Sequence, residues 1–163
     1  MALPTETERA FLAHDHSHCL HEGLARAEEL ARTRGLRLTP VRRRTLEILL
    51  REHRALGAYE VLEHLAADGF GRQPPVAYRA LEFLVANGFA HRIQRLNAFT
   101  ACAHPGEDHQ AVFLICRECQ TVAEAPLDGP REAVAAASDA LGFRLERVSI
   151  EALGLCPQCA QAA

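Results

Sequence analysis

Apolar positions recur at helical spacing through the first half of the chain and at strand spacing after it. Leu24, Ala27, Leu30 and Ala31 predict a helix over 24–33 that Gly35 stops. Thr39-Pro40 offers an N-cap followed by proline at the first helical position, opening a helix with Val41, Leu46, Leu49 and Leu50 on its inner side. A third helix runs from about Tyr59 to Asp68, with Val61, Leu62, Leu65 and Ala66 inward and Gly69 at its end. A fourth begins near Pro75 and stops at Asn87-Gly88, its stripe formed by Ala77, Leu81, Leu84 and Val85. Phe89 to Ile93 and Ala98 to Cys102, joined through Arg95-Leu96-Asn97, read as a hairpin. Helices closed by such a hairpin predict a winged helix-turn-helix.

Shorter patterns follow. Ala111 to Ile115 and Thr121 to Ala125 predict strands, 129–141 a helix, and Phe143 to Ala152 a strand that alternates imperfectly through Phe143, Leu145, Val148 and Ile150. The fold class is therefore α+β, an N-terminal winged helix-turn-helix domain plus a small C-terminal α/β domain. The expected boundaries are a His-rich flexible segment over 1–22, the winged helix over 23–102, a hinge over 103–108 and the second domain over 109–163.

Composition fits this division. The chain has 163 residues, 48% hydrophobic and 24% charged, enough for two small cores but not for a large enzyme. No apolar run approaches the roughly 18 residues that span a bilayer, and the N-terminus lacks the basic and apolar regions of a secretory signal. These features predict a soluble, cytoplasmic protein with no membrane partner. The net charge of −3 divides unevenly, with −3 over 1–25, +5 over 26–95 and −5 over 96–163. All basic residues are Arg, the better bidentate partner for phosphate and guanine, so the basic middle reads either as a local polyanion site or as a solvated Arg-rich surface.

On the fourth helix, at about 100° per residue, Arg79 lies almost opposite the apolar stripe and Tyr78 at its edge. An outward Arg near the start of a packed helix suits major-groove reading. Arg42, Arg43 and Arg44, on the helix opened by Thr39-Pro40, are better placed for phosphates.

Six cysteines and nine histidines narrow the chemistry further. Cys116-Arg117-Glu118-Cys119 and Cys156-Pro157-Gln158-Cys159 are two C-x-x-C pairs, and each tight turn aims two sulfurs at one point. Together they supply the four soft ligands of a closed tetrahedral zinc site, which would pin the last segment back onto an earlier hairpin. Enzyme readings find little support. No H-E-x-x-H, deaminase H-x-E, G-x-S-x-G or phosphate-loop motif occurs. A thiol–disulfide enzyme would use Cys156 and Cys159, but that pair is not expected to open a helix that lowers a thiol pKa. No small-molecule substrate is implied.

The residues resemble the ferric uptake regulator family of metal-dependent repressors, and within it most closely the zinc uptake regulators. The resemblance rests on Arg37-Leu38-Thr39-Pro40 with Arg42, Ala58-Tyr59, Pro74-Pro75 with Tyr78-Arg79-Ala80-Leu81, Asn87-Gly88-Phe89-Ala90-His91, Ile115-Cys116-Arg117-Glu118-Cys119, and Glu151-Ala152-Leu153-Gly154-Leu155-Cys156. It implies a homodimer that binds palindromic operator DNA when metal-loaded, dimerised through the C-terminal domain, with zinc-uptake genes as targets. It also implies a regulatory zinc site at His91, Cys102, His109 and Glu124, with His104 a competing ligand, and Tyr59 near the groove. One sulfur, two imidazoles and a carboxylate make an ordinary zinc set. The chain departs from the family at Val41, where Gln is usual, and at Val76-Ala77, where a hydroxyl residue commonly precedes Val. Leu141 stands where iron and peroxide sensors carry His, which favours zinc over the alternatives of an iron, manganese or peroxide-linked sensor. His14, His16, His18 and Cys19 form an accessory tract, read as a weak metal collector or as a tail that binds metal opportunistically.

Overall fold

The computed structural model describes residues 10–11, 16–107, 111–126, 129–146 and 148–162, apart from the side chains at 16, 18, 19, 111, 126 and 131. Helix α1 (His16–Thr33) begins well before Leu24. Leu20 also packs on the core, and Gly23 admits the side chain of Leu50, whose methyl would lie 2.7 Å from a Cβ at that position. Helix α2 (Pro40–Leu50) follows the extended Thr39, with proline in the first turn. The Thr39 hydroxyl makes no capping bond; instead its carbonyl accepts the Arg43 N–H at 2.9 Å.

Helices α3 (Ala58–Ala67) and α4 (Pro74–Ala86) form the helix-turn-helix pair. Their apolar stripes meet α1 and α2 in one core, where Leu46, Leu49, Val61, Leu65, Ala77, Leu81 and Leu84 are almost wholly buried. Gly88, at φ +74, ends α4: its left-handed backbone lets the Phe89 N–H reach the Leu84 carbonyl at 2.8 Å and turns Phe89 into the core.

The wing follows as strands β2 (Ala90–Ile93) and β3 (Ala98–Ala101). A two-residue strand β1 (Leu56–Gly57), with no counterpart in the sequence pattern, pairs antiparallel with β3, giving a sheet of order β1-β3-β2. Its shortness explains its silence, since two residues carry no periodicity.

The C-terminal half is built from β4 (Ala111–Cys116), β5 (Val122–Pro126), α5 (Gly129–Ala140), β6 (Ile150–Gly154) and a one-turn helix α6 (Pro157–Ala162). Its sheet has the order β5-β4-β6, with β4 antiparallel to β5 and parallel to β6. The strand expected over 143–152 is corrected: the ladder begins at Ile150 opposite Val112 and ends at Gly154 opposite Cys116. Parallel pairing requires the chain to travel back along the sheet before it pairs, and the residues after α5 make that return with Phe143 left 62% exposed.

The halves dock through the wing. Ala55, Ile93 and Ala98 from the N-terminal half form a buried apolar cluster with Phe113, Ile115 and Val122 from the C-terminal sheet. Beside it, the Val122 N–H donates to the His53 carbonyl at 2.7 Å and Arg54 bridges Thr121. Among the described residues, no helix is long and apolar enough to cross a membrane.

Candidate metal centres

The first cluster gathers Cys116, Cys119, Cys156 and Cys159, whose sulfurs lie within 4.8 Å of one another. Two backbone devices hold them. The turn after β4 carries Cys119 back over Cys116, closed by the Gln120 N–H on the Cys116 carbonyl at 3.0 Å. The parallel register of β6 sets Gly154 opposite Cys116, with the Arg117 N–H donating to the Gly154 carbonyl at 2.9 Å, so the second pair arrives beside the first.

The Cys119 and Cys156 sulfurs are 3.7 Å apart. That separation matches the edge of about 3.8 Å expected for a tetrahedron with Zn–S bonds of about 2.3 Å, so the donor set fits zinc. Cys156 directly precedes α6, a correction to the expectation that the second pair opens no helix; Pro157 at the first helical position starts that turn. Burial works against ionising Cys116, yet N–H groups of Cys119, Cys156 and Glu118 outweigh it and hold the thiol down at about 6. Hydrogen bonding to the Cys156 sulfur, with burial second, pushes Cys159 up to about 12. The first proton leaves readily and a later one only against negative charge already present, a conflict that a divalent cation resolves.

The second cluster lies across the junction of the two halves. His91 stands on β2, Cys102 just past the end of β3, and Glu124 on β5, their ligand atoms also within 4.8 Å of one another. His91 Nε2 is 3.3 Å from Glu124 Oε1, and the Cys102 sulfur is 4.0 Å from the same oxygen. The other carboxylate oxygen accepts the Ala103 N–H at 2.9 Å, which fixes the side chain although it is only 6% exposed. Phe113 supports the site from below, its ring centroid 5.1 Å from that of His91. Sulfur, imidazole and carboxylate suit zinc, with one tetrahedral position left to another donor. His104 is not in this group. His109 and His14 lie outside the described residues, as do the side chains of His16, His18 and Cys19.

The candidate DNA-reading residues lie on the helix-turn-helix pair, Tyr59 on α3 and Tyr78 and Arg79 on α4. Arg79, Tyr78 and Tyr59 are exposed, the last to 65%. Tyr59 and Tyr78, with Arg92 and Phe99 of the wing, line a concavity of about 470 Å³ between α3, α4 and the wing. The arginines of α2 are engaged within the chain. Arg42 donates to the Arg37 carbonyl at 2.8 Å and lies 3.7 Å over the Phe83 ring. Arg43 pairs with Glu28 at 2.7 Å and with Glu47. Arg44 joins Glu47 at 2.9 Å to Asp68 at 2.6 Å.

A winged helix with exposed Arg and Tyr, joined to a second body by a candidate metal-ligand cluster that both contribute to, defines the class of metal-responsive DNA-binding regulators. No protein-family model matches the chain. It is 33% identical over 141 residues to the zinc uptake regulation protein of Escherichia coli (strain K12), covering 86% of this chain and 82% of that protein. Among solved structures, a zinc uptake regulator complexed with zinc and DNA superposes with a TM-score of 0.84 at 33% identity, over 88% of this chain and 96% of the other. Holo XcZur superposes at 0.79 with 38% identity, over 87% and 99%, whereas its apo form reaches only 0.51. The chain belongs to the zinc uptake regulators, a branch of the ferric uptake regulator family.

Proposed function

We propose that this chain is a zinc-responsive, DNA-binding transcriptional repressor, cytoplasmic, and not an enzyme. The observation that carries the reading is the convergence of His91, Cys102 and Glu124 from the wing and the C-terminal sheet onto one point. Its relatives are zinc uptake regulators, and the nearer likeness to holo than to apo XcZur supports a DNA-competent arrangement governed by metal.

Two zinc ions per chain are proposed. Cys116, Cys119, Cys156 and Cys159 hold the structural ion; His91, Cys102, Glu124 and His109 hold the regulatory one. Bound zinc supplies a compact positive charge that neutralises thiolate and carboxylate at fixed separation. His91 and Cys102 move with the wing and Glu124 with the C-terminal sheet, so fixing their separation fixes the hinge over 103–108. Only a few kcal/mol of preference for one arrangement suffices for such a switch.

The working unit is a homodimer on a palindromic operator, repressing zinc-uptake genes. The exposed Leu141 and Phe143 after α5, and the exposed Leu153 on the edge strand β6, support a second copy on the C-terminal half. Arg79 reads guanine with Tyr59 and Tyr78 beside it, while Arg42 and Arg43 exchange their internal partners for phosphate. Metal analysis of the purified chain, together with zinc-titrated binding to a duplex selected from a random library, tests the reading. Two zinc ions per chain and zinc-dependent binding support it; binding indifferent to zinc overturns it.

A further inference from the structure

Glu124, Phe113 and Glu151 stand in one row across the C-terminal sheet, since Phe113 pairs with Glu124 on β5 and with Glu151 on β6. Directly paired residues share a face of a sheet, so all three present their side chains to the wing. Phe113 packs on His91 and in the apolar cluster. Glu124 grips one end of the wing hairpin through Ala103 and the ligand cluster. Glu151 grips the other end: its Oε1 accepts the Gln94 N–H at 2.6 Å and its Oε2 the Arg95 N–H at 3.0 Å.

Both oxygens of Glu151 are thus given to consecutive amides of the wing turn, as charge-assisted bonds of good length. Leu96 rests on the apolar cluster that buries Ile93 and Ala98, while the two backbone amides before it are the ones Glu151 takes. The turn's closure is the Asn97 N–H on the Gln94 carbonyl at 3.1 Å, and Asn97 adopts a left-handed φ of +47 while accepting from Arg92 at 2.7 Å. Arg92 and Arg95 are both exposed at this tip. A carboxylate beside a surface meant for a polyanion opposes binding by its charge, so its presence calls for a gain in placement that offsets the repulsion.

We infer that Glu151 is a positioning residue for DNA binding, which locks the wing tip to the C-terminal sheet without metal and sets the angle at which Arg95 meets the phosphate backbone. The inference rests on the DNA-binding function proposed above. It makes the wing of the docked form a two-point mounting, with the zinc-dependent point at His91 and Cys102 and a metal-independent point at the turn that is released when the halves part.

The test uses the full zinc-loaded chain as wild type, Glu151→Gln, Glu151→Ala, Arg95→Ala and the double variant Glu151→Ala with Arg95→Ala. Amide hydrogen exchange is read at Gln94 and Arg95, and anisotropy titrations at two salt concentrations use a duplex selected with the wild-type chain. Glu151→Ala should speed exchange at those two amides by about tenfold while Phe99 and Ile115 stay protected. It should weaken binding about five- to tenfold and lower the salt slope by about one. Glu151→Gln, near-isosteric and keeping one acceptor, should fall between. In the Arg95→Ala background, removing Glu151 should add nothing further to the loss. Unchanged exchange, faster exchange with unchanged affinity and slope, or fully additive losses in the double variant would each overturn the inference. If Glu151→Ala loses zinc or protection at Phe99, Glu151→Gln decides by the same three readings. A wild-type chain that selects no duplex defeats the DNA-binding reading instead, and the exchange arm still reports whether Glu151 holds the turn.

Discussion

His91 Nε2 and Glu124 Oε1 lie 3.3 Å apart although they belong to different sheets, one in the wing and one in the C-terminal half. Removing His91 or Cys102 therefore severs a connection between bodies while leaving each body's core intact. His91→Ala and Cys102→Ala should keep fold and dimer, bind one zinc fewer per chain, and lose about 5- to 150-fold of zinc-dependent affinity for the selected duplex. Variants that keep two zinc ions, or that still respond to zinc in proportion to its concentration, would remove these residues from the ligand set.

The four-cysteine cluster behaves differently because it closes the C-terminal half on itself. Cys116→Ser or Cys156→Ser breaks a donor set whose metal affinity, about 10–16 kcal/mol in comparable small sites, is also folding free energy. Such variants should lose near-ultraviolet circular dichroism and dimerisation together with the metal. A soluble dimeric variant with one zinc fewer contradicts this assignment.

The roles proposed for Arg79 and Arg43, base reading and phosphate attraction, can be separated by their variants. Arg79→Ala should cost about 1–3 kcal/mol on the selected duplex and little on a scrambled one. Arg43 is held by Glu28 and Glu47, so DNA must draw it away from carboxylates before a phosphate can use it. Arg43→Ala should weaken both duplexes alike and flatten the salt dependence, whereas Glu28→Gln, which loosens the internal pairing, should strengthen both. None of the three changes should alter bound zinc. Equal loss on both duplexes for Arg79→Ala would take it out of base readout.

Acid should loosen the start of α3. The Gly57 N–H, donating to Glu60 at 2.9 Å, is the main cause that holds the Glu60 carboxyl below its ordinary value, against burial and with help from Arg54. Because the folded-state value is depressed, this contribution is complete above the unfolded value and is lost as pH falls through the folded one. The Glu60 side chain is 45% exposed, so screening keeps the effect small. Glu60→Gln should cost about 0.5 kcal/mol at pH 7 and nothing once both forms are protonated. Denaturant titrations of wild type and variant at several pH values from 7 downward check this; a gap that does not shrink as pH falls argues for packing instead.

Local chemistry decided how much of this was readable from residues alone. The stripes of α2, α3 and α4 were legible because each repeats over about three turns, and the sulfur cluster because two C-x-x-C turns of identical spacing converge on one point. Glu124 and His91 needed family resemblance, since nothing near either residue marks it as a candidate ligand. The grip of Glu151 on the wing turn, the pairing of Arg54 with Thr121, and the meeting of Ile93 with Phe113 left no local trace, being contacts between residues far apart in sequence. The strand over 143–152 was misplaced because alternation shows which residues suit a sheet, not where a returning strand first finds its partner. The internal partners of Arg43 and Arg44 were hidden for the same reason: charge composition records excess, not pairing.

The apolar cluster of Ala55, Ile93 and Ala98 against Phe113, Ile115 and Val122 has a thermal consequence. Any opening that parts the two halves must wet these side chains, and hydrating apolar surface raises heat capacity. The equilibrium between docked and parted forms is therefore curved in temperature. Cooling weakens the apolar contact, so the metal-free chain is most easily opened in the cold, and at low temperature a greater share of the closure depends on His91, Cys102 and Glu124.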